Sequence, residues 1–260
     1  MTLALAPVTR VDGLHVVVLG DGGPVTVFAH GLGGSVAETR PLATRVDGTR
    51  VLFDLPGHGD SDALTDGWDY DLLADALLSV ADAFGATRAV GLSLGAGALL
   101  RALTRAPDRF ARLAFVLPAA IDGTRRDGAT ERLRVLGDAI ANGDADSAAE
   151  FLLGELPESV RSRRGIELLV RRRALQLVSK PAPEPAYDDR PVHDRAQLRT
   201  WSVPALVIGQ EADALHPVAL ARELHALLPS ADLAVYPQAG VFWTAARDAQ
   251  EALARHLAEN

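Results

Sequence analysis

The residues with the clearest chemical potential are 91–95, which read Gly-Leu-Ser-Leu-Gly and centre on Ser93. A β-prone run, residues 88–90, precedes them, and a helix-prone run, residues 96–103, follows them. A serine at such a strand-to-helix turn projects its hydroxyl from a sharp bend, and the flanking glycines let the backbone pass. This pattern predicts that Ser93 is a nucleophile. The alternative, a serine that only caps the following helix, is less favoured by the glycine spacing.

Three further segments place polar residues directly after predicted strands. Residues 30–34 read His-Gly-Leu-Gly-Gly, residues 54–62 read Asp-Leu-Pro-Gly-His-Gly-Asp-Ser-Asp, and residues 209–217 read Gly-Gln-Glu-Ala-Asp-Ala-Leu-His-Pro. Because ligands bind at the carboxyl ends of strands in open α/β sheets, we expect these segments to gather around Ser93. Residues 30–34 lack the G-x-x-x-x-G-K-[ST] order of a phosphate loop. No nucleotide, metal or other cofactor is predicted.

The elements that must position these segments alternate between strand-like and helix-like runs. The short apolar runs predicted as strands are residues 15–19, 25–29, 50–53, 88–90, 113–117, 205–208 and 233–236. Helices are predicted near residues 36–46, 69–84, 94–106, 217–228 and 245–258. Apolar strands separated by helices indicate an α/β fold with a mostly parallel sheet covered on both faces. The turn at residues 20–24 predicts a hairpin between the first two strands.

The alternation breaks once, because residues 119–197 contain several helical runs and no convincing strand. We interpret this stretch, which includes the Pro-rich residues 181–185, as a helical lid inserted into a core of residues 1–118 and 198–260. A purely decorative subdomain is the alternative. Its arginines are interpreted as a solvated helix face rather than an anion site; they include Arg161, Arg163, Arg164, Arg171, Arg172 and Arg173.

Composition limits the possible partners. A chain of 260 residues with 48% hydrophobic content can bury one large core. The net charge of -8 argues against nucleic acid or an anionic membrane surface as the main partner. The chain has no cysteine, which excludes disulfides and thiol nucleophiles, and residues 1–7 resemble neither a signal peptide nor a membrane span. The sequence therefore predicts a cytoplasmic protein that acts on a small molecule, and it leaves the oligomeric state open.

Taken in order, these motifs resemble those of the α/β-hydrolase superfamily, in particular small lidded enzymes with H-G-x-G-G and D-x-P-G-H-G-x-S segments. The resemblance implies an α/β-hydrolase fold with Ser93 as nucleophile and Asp213 as the acid of a catalytic triad. It also implies an oxyanion hole formed by the backbone N–H groups of Leu32 and Leu94, beside Gly33. Asp213 could instead cap the following helix. The fold accepts many substrate classes, so the resemblance does not name the substrate.

One position departs from the superfamily's pattern. Its members carry a histidine, typically as Gly-His-Phe, on the loop after the last strand, and this chain has Val241 there, followed by Phe242. Valine cannot accept a proton, and a serine hydroxyl without a neighbouring base is a poor nucleophile. The sequence therefore predicts an incomplete triad. Val241 and Trp243 are expected at the substrate pocket, and packing in the core is the simpler interpretation for Phe242 and Trp243.

His216 is the histidine best placed to supply a replacement base. It follows Asp213 by three residues and is expected on the same sheet edge as Ser93. Two interpretations stay open, a surrogate base and a side chain that only lines the pocket. His30 and His58 lie inside the glycine-containing motifs, where structural roles are the simpler interpretation.

The function predicted from these residues is hydrolysis of an ester, thioester or lactone of a small apolar molecule. Ser93 would attack, and His216 or an ordered water beside Asp213 would take the proton. In a first alternative, the oxyanion hole polarises a carbonyl for a lyase, cyclase or isomerase reaction, with His216, His58 or Asp213 as the acid–base group. In a second alternative, the protein binds a small molecule without turnover, and Ser93 is a relic.

Overall fold

The computed structural model describes residues 8–123, 128–180 and 189–258. At its centre is an eight-stranded sheet in the order β1-β2-β4-β3-β5-β6-β7-β8. The strands are β1 (Val8–Val11), β2 (Leu14–Leu19), β3 (Val25–Ala29), β4 (Thr49–Phe53), β5 (Arg88–Leu92), β6 (Arg112–Val116), β7 (Ala205–Gln210) and β8 (Ala231–Tyr236). Strands β4, β3 and β5 to β8 run parallel, whereas β1 pairs antiparallel with β2, and β2 with β4. The predicted mostly parallel α/β sheet is confirmed.

Helices cover both faces of this sheet. Their bounds are α1 (Val36–Ala43), α2 (Tyr70–Ala83), α3 (Leu94–Arg105), α4 (Gly128–Ala141), α5 (Ala145–Gly154), α6 (Glu158–Arg161), α7 (Ile166–Ser179), α8 (Val218–Leu227), α9 (Val241–Thr244) and α10 (Ala246–Ala258), with a 3-10 helix at Arg195–Thr200. Within the described ranges, no helix combines the length and apolar character that a bilayer crossing needs.

Two apolar cores explain why the inner strands are continuous apolar runs. Consecutive strand residues alternate between the faces. Val27 packs into the core formed with α2, α3 and α8, and Phe28 packs into the core formed with α1 and α10. Val51 and Leu52 on the neighbouring strand repeat this alternation, and all four side chains are fully buried. A strand covered on both faces has no solvent-facing position, so the polar alternation of a half-exposed strand is lost.

The predicted hairpin between β2 and β3 is wrong. Strand β4 lies between these two strands, and Thr49 at its start donates backbone hydrogen bonds to the carbonyls of Gly22 and Pro24. The hairpin forms instead between β1 and β2, where Asp12 and Gly13 have φ values of 47° and 80°. The Asp-Gly pair is the turn signal that marks this hairpin, because both central residues of such a turn need positive φ.

Between β6 and β7 the described residues form helices α4 to α7 and the 3-10 helix, with no strand among them. Helices α5 and α7 pack against each other through Ala148, Ala149 and Ala174. We call the described residues from 128 to 180 the helical insertion. The predicted boundaries at 119 and 197 and the role of a lid stay predictions. The Pro-rich residues 181–185 and the N-terminal residues 1–7 lie outside the described residues.

Candidate active site

The turn between β5 and α3 holds Ser93 in a rare backbone conformation, with φ 52° and ψ -106°. Such a conformation costs about 1–3 kcal/mol and persists only where the surrounding structure enforces it. A Cβ added to Gly91 would lie 2.4 Å from the carbonyl oxygen of Gly95, and one added to Gly95 would lie 2.4 Å from that of Ala29. Both glycines are therefore steric requirements of the turn. The geometry is that of a nucleophile elbow.

His216 connects Ser93 to Asp213 through two hydrogen-bonding contacts. Its Nε2 lies 2.9 Å from Ser93 Oγ, and its Nδ1 lies 2.9 Å from Asp213 Oδ2. His216 and Asp213 share the loop after β7, which ends beside the elbow because β7 is parallel to β6, and β6 to β5. One loop thus brings an imidazole and a carboxylate to the serine in the order that acyl-transfer chemistry needs.

The surroundings of Asp213 keep its carboxyl group ionised. Its Oδ1 accepts hydrogen bonds from the amides of Leu215 and His216, at 2.8 and 2.9 Å, and its Oδ2 accepts from the Gln210 side chain as well as facing His216. Burial alone would raise the pKa of Asp213. The hydrogen bond and charge of His216, with further donors from Gln210 and the backbone, outweigh burial and lower this pKa below its ordinary value.

An ionised Asp213 can only accept a hydrogen bond, so the Nδ1 that faces it carries the proton, and this sets the tautomer of His216. Nε2 is then unprotonated and accepts the hydroxyl hydrogen of Ser93. This is the protonation pattern that a general base requires.

Val241 belongs to the core rather than to a pocket wall. Its side chain has no exposed surface and packs in the apolar core that contains Ile208 and Leu253. Its backbone N–H donates a 2.8 Å hydrogen bond to Oε1 of Gln210, a buried residue whose Nε2 donates to Asp213. The loop after β8 is therefore linked to Asp213 through the Val241 N–H and the Gln210 side chain. Sequence reasoning did not single out Gln210.

The amides of Leu32 and Leu94 lie on the two segments that meet at Ser93. Leu94 is the first residue of α3, where the helix dipole favours negative charge. On the other side, a Cβ at Gly31 would lie 3.4 Å from the Ser93 Cβ, so this loop contacts the elbow. Neither amide donates a backbone hydrogen bond to another residue of the described ranges. Both are therefore free to donate to a ligand oxygen.

His30 orients the loop that carries Leu32. Its Nε2 accepts a 2.9 Å hydrogen bond from the amide of Leu55, so its Nδ1 carries the proton and donates to the carbonyl of Gly31 at 2.7 Å. The amide of Gly34 donates to the same carbonyl at 2.9 Å. Because the C=O and N–H of a trans peptide point in opposite directions, fixing the Gly31 carbonyl also fixes the Leu32 N–H.

The two motif histidines are held neutral by burial. Burial lowers the pKa of His30 to about 3, and nearby His58 adds to this effect. Burial also lowers the pKa of His58, whose Nδ1 lies 2.9 Å from the carbonyl of Pro56. Neither His30 nor His58 takes part in the hydrogen bonds that join Ser93, His216 and Asp213. Both ring nitrogens of His30 are engaged in holding loops, whereas the buried Nε2 of His58 has no hydrogen-bond partner among the described residues.

Acidification is expected to destabilise the protein through His30. Its pKa is about 3 in the folded protein and about 6.5 in the unfolded chain, so the unfolded chain binds more protons between these values. The stabilisation that comes from neutral His30 is fully present above about pH 6.5 and is lost as the pH falls towards 3. The free energy of unfolding should therefore fall by roughly 2–3 kcal/mol between pH 6.5 and 4.5. Urea unfolding at both pH values measures it. The His30→Gln variant should show a flatter pH dependence, and an equally steep one would contradict the assignment.

Other predicted residues lie nearby without joining the hydrogen-bonded group. The Trp243 side chain is 41% exposed, and its carbonyl accepts a 3.2 Å hydrogen bond from Arg163 of the helical insertion. The Gly33 carbonyl accepts a hydrogen bond from Nη2 of Arg173. The predicted solvated arginine face therefore needs a correction at Arg173, which is partly buried, because α7 packs this side chain against the loop of residues 30–34.

One group within the described residues has the side chains to share a metal ion: the ligand atoms of His15, Asp54 and Asp60 lie within 4.8 Å of one another. Asp54 Oδ2 already faces His15 Nδ1 at 2.7 Å and the amide of Asp60 at 2.8 Å, and its Oδ1 accepts from the amide of Val36 at 2.6 Å. These bonds hold the loop after β4 in place.

Comparison with known proteins shows that this chain has relatives both in sequence and in fold. A model of the alpha/beta hydrolase family matches residues 26–256. The dihydrolipoyllysine-residue acetyltransferase component of an acetoin cleaving system from Pseudomonas putida is 29% identical over 85% of this chain, which spans only 59% of that protein. The 2-hydroxy-6-oxononadienedioate/2-hydroxy-6-oxononatrienedioate hydrolase of Burkholderia vietnamiensis is 28% identical over 85% of this chain and 82% of its own length.

Two solved structures share the fold over nearly the whole chain. An esterase from Exiguobacterium antarcticum has a TM-score of 0.74 at 21% identity and covers 98% of this chain and 100% of its own. An enol-lactonase from Burkholderia xenovorans has a TM-score of 0.74 at 21% identity and covers 97% of this chain and 100% of its own. At this level of identity the likeness shows the fold, and the chemistry must be argued from the site.

Proposed function

This chain belongs to the alpha/beta hydrolase family, and we propose that it is a serine hydrolase that cleaves an ester, thioester or lactone of a small apolar molecule. The observation that carries the proposal is the pair of 2.9 Å contacts joining Ser93 Oγ to His216 and His216 to Asp213. The family supports hydrolysis in general. The ester-type bond is favoured because a serine with an aligned base and two unengaged amides is suited to acyl transfer.

The mechanism follows from these contacts. His216 Nε2 accepts the hydroxyl proton as Ser93 Oγ attacks the carbonyl carbon, and Asp213 stabilises the resulting imidazolium. The carbonyl oxygen becomes an oxyanion, to which the amides of Leu32 and Leu94 donate. The intermediate collapses, the bond to the leaving group breaks, and His216 returns the proton to that group. Water, deprotonated by His216, then attacks the acyl-Ser93 ester. The bond between the acyl carbon and Ser93 Oγ breaks, the acid product leaves, and His216 returns the proton to Ser93 Oγ.

On this proposal the triad is complete, although the last loop contributes no histidine. The base comes from the acid's own loop, so Val241 is free to be a core residue. The alternative of a non-catalytic binder gives no reason for an unprotonated imidazole nitrogen to face the Ser93 hydroxyl. Lyase, cyclase or isomerase chemistry would use the oxyanion hole without a covalent Ser93 intermediate, and that difference is testable.

Covalent labelling of Ser93 tests the proposal. A fluorophosphonate probe should add to the native protein, with peptide mapping placing the adduct on the peptide that contains Ser93. The Ser93→Ala variant should not be labelled, whereas Ser202→Ala, which changes an exposed serine, should label like the native protein. We also expect slow turnover of p-nitrophenyl butyrate by the native protein. Absence of labelling above the Ser93→Ala background would overturn the serine-hydrolase proposal.

A further inference from the structure

Helix α7 of the helical insertion rests on the loops that surround the oxyanion hole. Nη2 of Arg173 donates to the Gly33 carbonyl, and Nζ of Lys180, just after the helix, donates to the Gly59 carbonyl. Between them, Leu177 is so close that its Cδ2 would lie 2.9 Å from a Cβ at Gly33. These residues are spaced i, i+4 and i+7, which places them on one face of the helix. That face is joined to the loop of residues 30–34.

The loop of residues 30–34 needs outside contacts to keep its shape. It has no helical or strand hydrogen bonds of its own, and Gly33 has a positive φ of 63°. Glu38 of α1 accepts a 2.9 Å hydrogen bond from the Gly31 amide, and His30 donates to the Gly31 carbonyl. The Gly34 amide donates to the same carbonyl. Arg173 holds the Gly33 carbonyl, which belongs to the same peptide unit as that Gly34 N–H.

We propose that Arg173 is a positioning residue that couples the docking of helix α7 to the direction of the Leu32 amide in the oxyanion hole. The proposal rests on the proposed hydrolase function. A hydrogen bond from a guanidinium is about twice as strong as a neutral one, so Arg173 is a strong polar link between α7 and this loop. When α7 is docked, Arg173 holds the Gly33–Gly34 peptide, whose N–H donates to the Gly31 carbonyl, and that carbonyl shares a peptide with the Leu32 N–H. When α7 moves away, the Gly33–Gly34 peptide loses the guanidinium contact and holds the Gly31 carbonyl less firmly.

The kinetic consequence is a change in kcat rather than in KM. An oxyanion forms only after attack, so a misdirected Leu32 amide weakens binding of the transition state and leaves substrate binding nearly unchanged. Loss of one oxyanion donor costs about 10²–10³-fold in kcat, which is an upper limit for a residue that only positions the donor. We therefore expect a loss of about 10–100-fold when the Arg173 hydrogen bond is removed.

Arg173→Gln, Arg173→Lys and Arg172→Gln form a matched set. Arg172 is the neighbouring residue on α7 and is exposed. With p-nitrophenyl butyrate, Arg173→Gln should lose about 10–100-fold in kcat with little change in KM. Arg173→Lys should lose less, because its ammonium can still donate, and Arg172→Gln should match the native protein. The pH dependence should be the same in all four proteins, since the base is untouched.

A second readout does not depend on turnover. Hydrogen exchange followed by mass spectrometry should show faster exchange in residues 30–34 for Arg173→Gln than for Arg172→Gln. Faster exchange together with an unlabelled native Ser93 would support the α7 coupling and overturn the hydrolase function alone. Native exchange and native kcat in Arg173→Gln would overturn the coupling, whatever the labelling result. If Arg173→Gln does not fold, Arg173→Lys is compared with Arg172→Gln by the same criteria.

Discussion

His216→Ala is expected to lower kcat for p-nitrophenyl butyrate by about 10⁴–10⁶-fold, with a residual rate above that in water. The variant removes the only group that faces both Ser93 Oγ and Asp213 at 2.9 Å within the described ranges. Without it the attacking hydroxyl keeps its proton, while the Leu32 and Leu94 amides still bind the oxyanion. Steady-state kinetics at pH 7.5 measures the loss, and circular dichroism checks that the variant is folded.

Two further variants show whether the effect belongs to this imidazole. His225→Ala changes a histidine on α8 that takes no part in the hydrogen bonds joining Ser93, His216 and Asp213, and its kcat should be native. Adding Val241→His to His216→Ala should not restore activity, because the side chain at position 241 is enclosed in the apolar core. Recovery in the double variant, or more than a tenth of native activity in His216→Ala, would contradict the assignment of the base.

Asp213→Asn is expected to lower kcat by about 10³–10⁴-fold while KM changes little. The amide nitrogen of asparagine would replace an oxygen that accepts from Gln210, or one that accepts from the loop amides. If it faces His216, it donates to Nδ1, which moves the imidazole proton to Nε2. The ring then points an N–H at Ser93 and cannot accept the hydroxyl proton.

Glu211→Gln is the matched control, because it removes one negative charge from the same loop. Glu211 pairs with Arg222 in an exposed ion pair, and its loss should leave kcat unchanged. Imidazole added to the buffer should not rescue Asp213→Asn, because His216 is still present in the wrong tautomer. The same imidazole should partly rescue His216→Ala, because it supplies the missing proton acceptor. Native kcat in Asp213→Asn would show that Asp213 only caps its loop.

Local patterns predicted most of the fold. The inner strands could be predicted as buried because their sequences are continuous apolar runs. Each has an apolar core on both faces, as Val27 and Phe28 illustrate. Strand order was less predictable, since pairing depends on contacts distant in sequence. The β2–β3 hairpin is wrong for that reason: β4, which follows β3 in the chain, lies between them in the sheet. The short strand β1 has an exposed pattern that carries little hydrophobic signal.

The sequence by itself determined the elbow at Ser93, because its glycines are required by contacts within a few residues and by one neighbouring strand. Only the tertiary structure decided which side chains reach it. His216 meets Ser93 across 123 residues of sequence, Val241 meets Gln210 across 31, and Arg173 meets Gly33 across 140. Such contacts depend on side-chain direction and on how separate elements pack, and residue type and spacing do not encode either quantity locally.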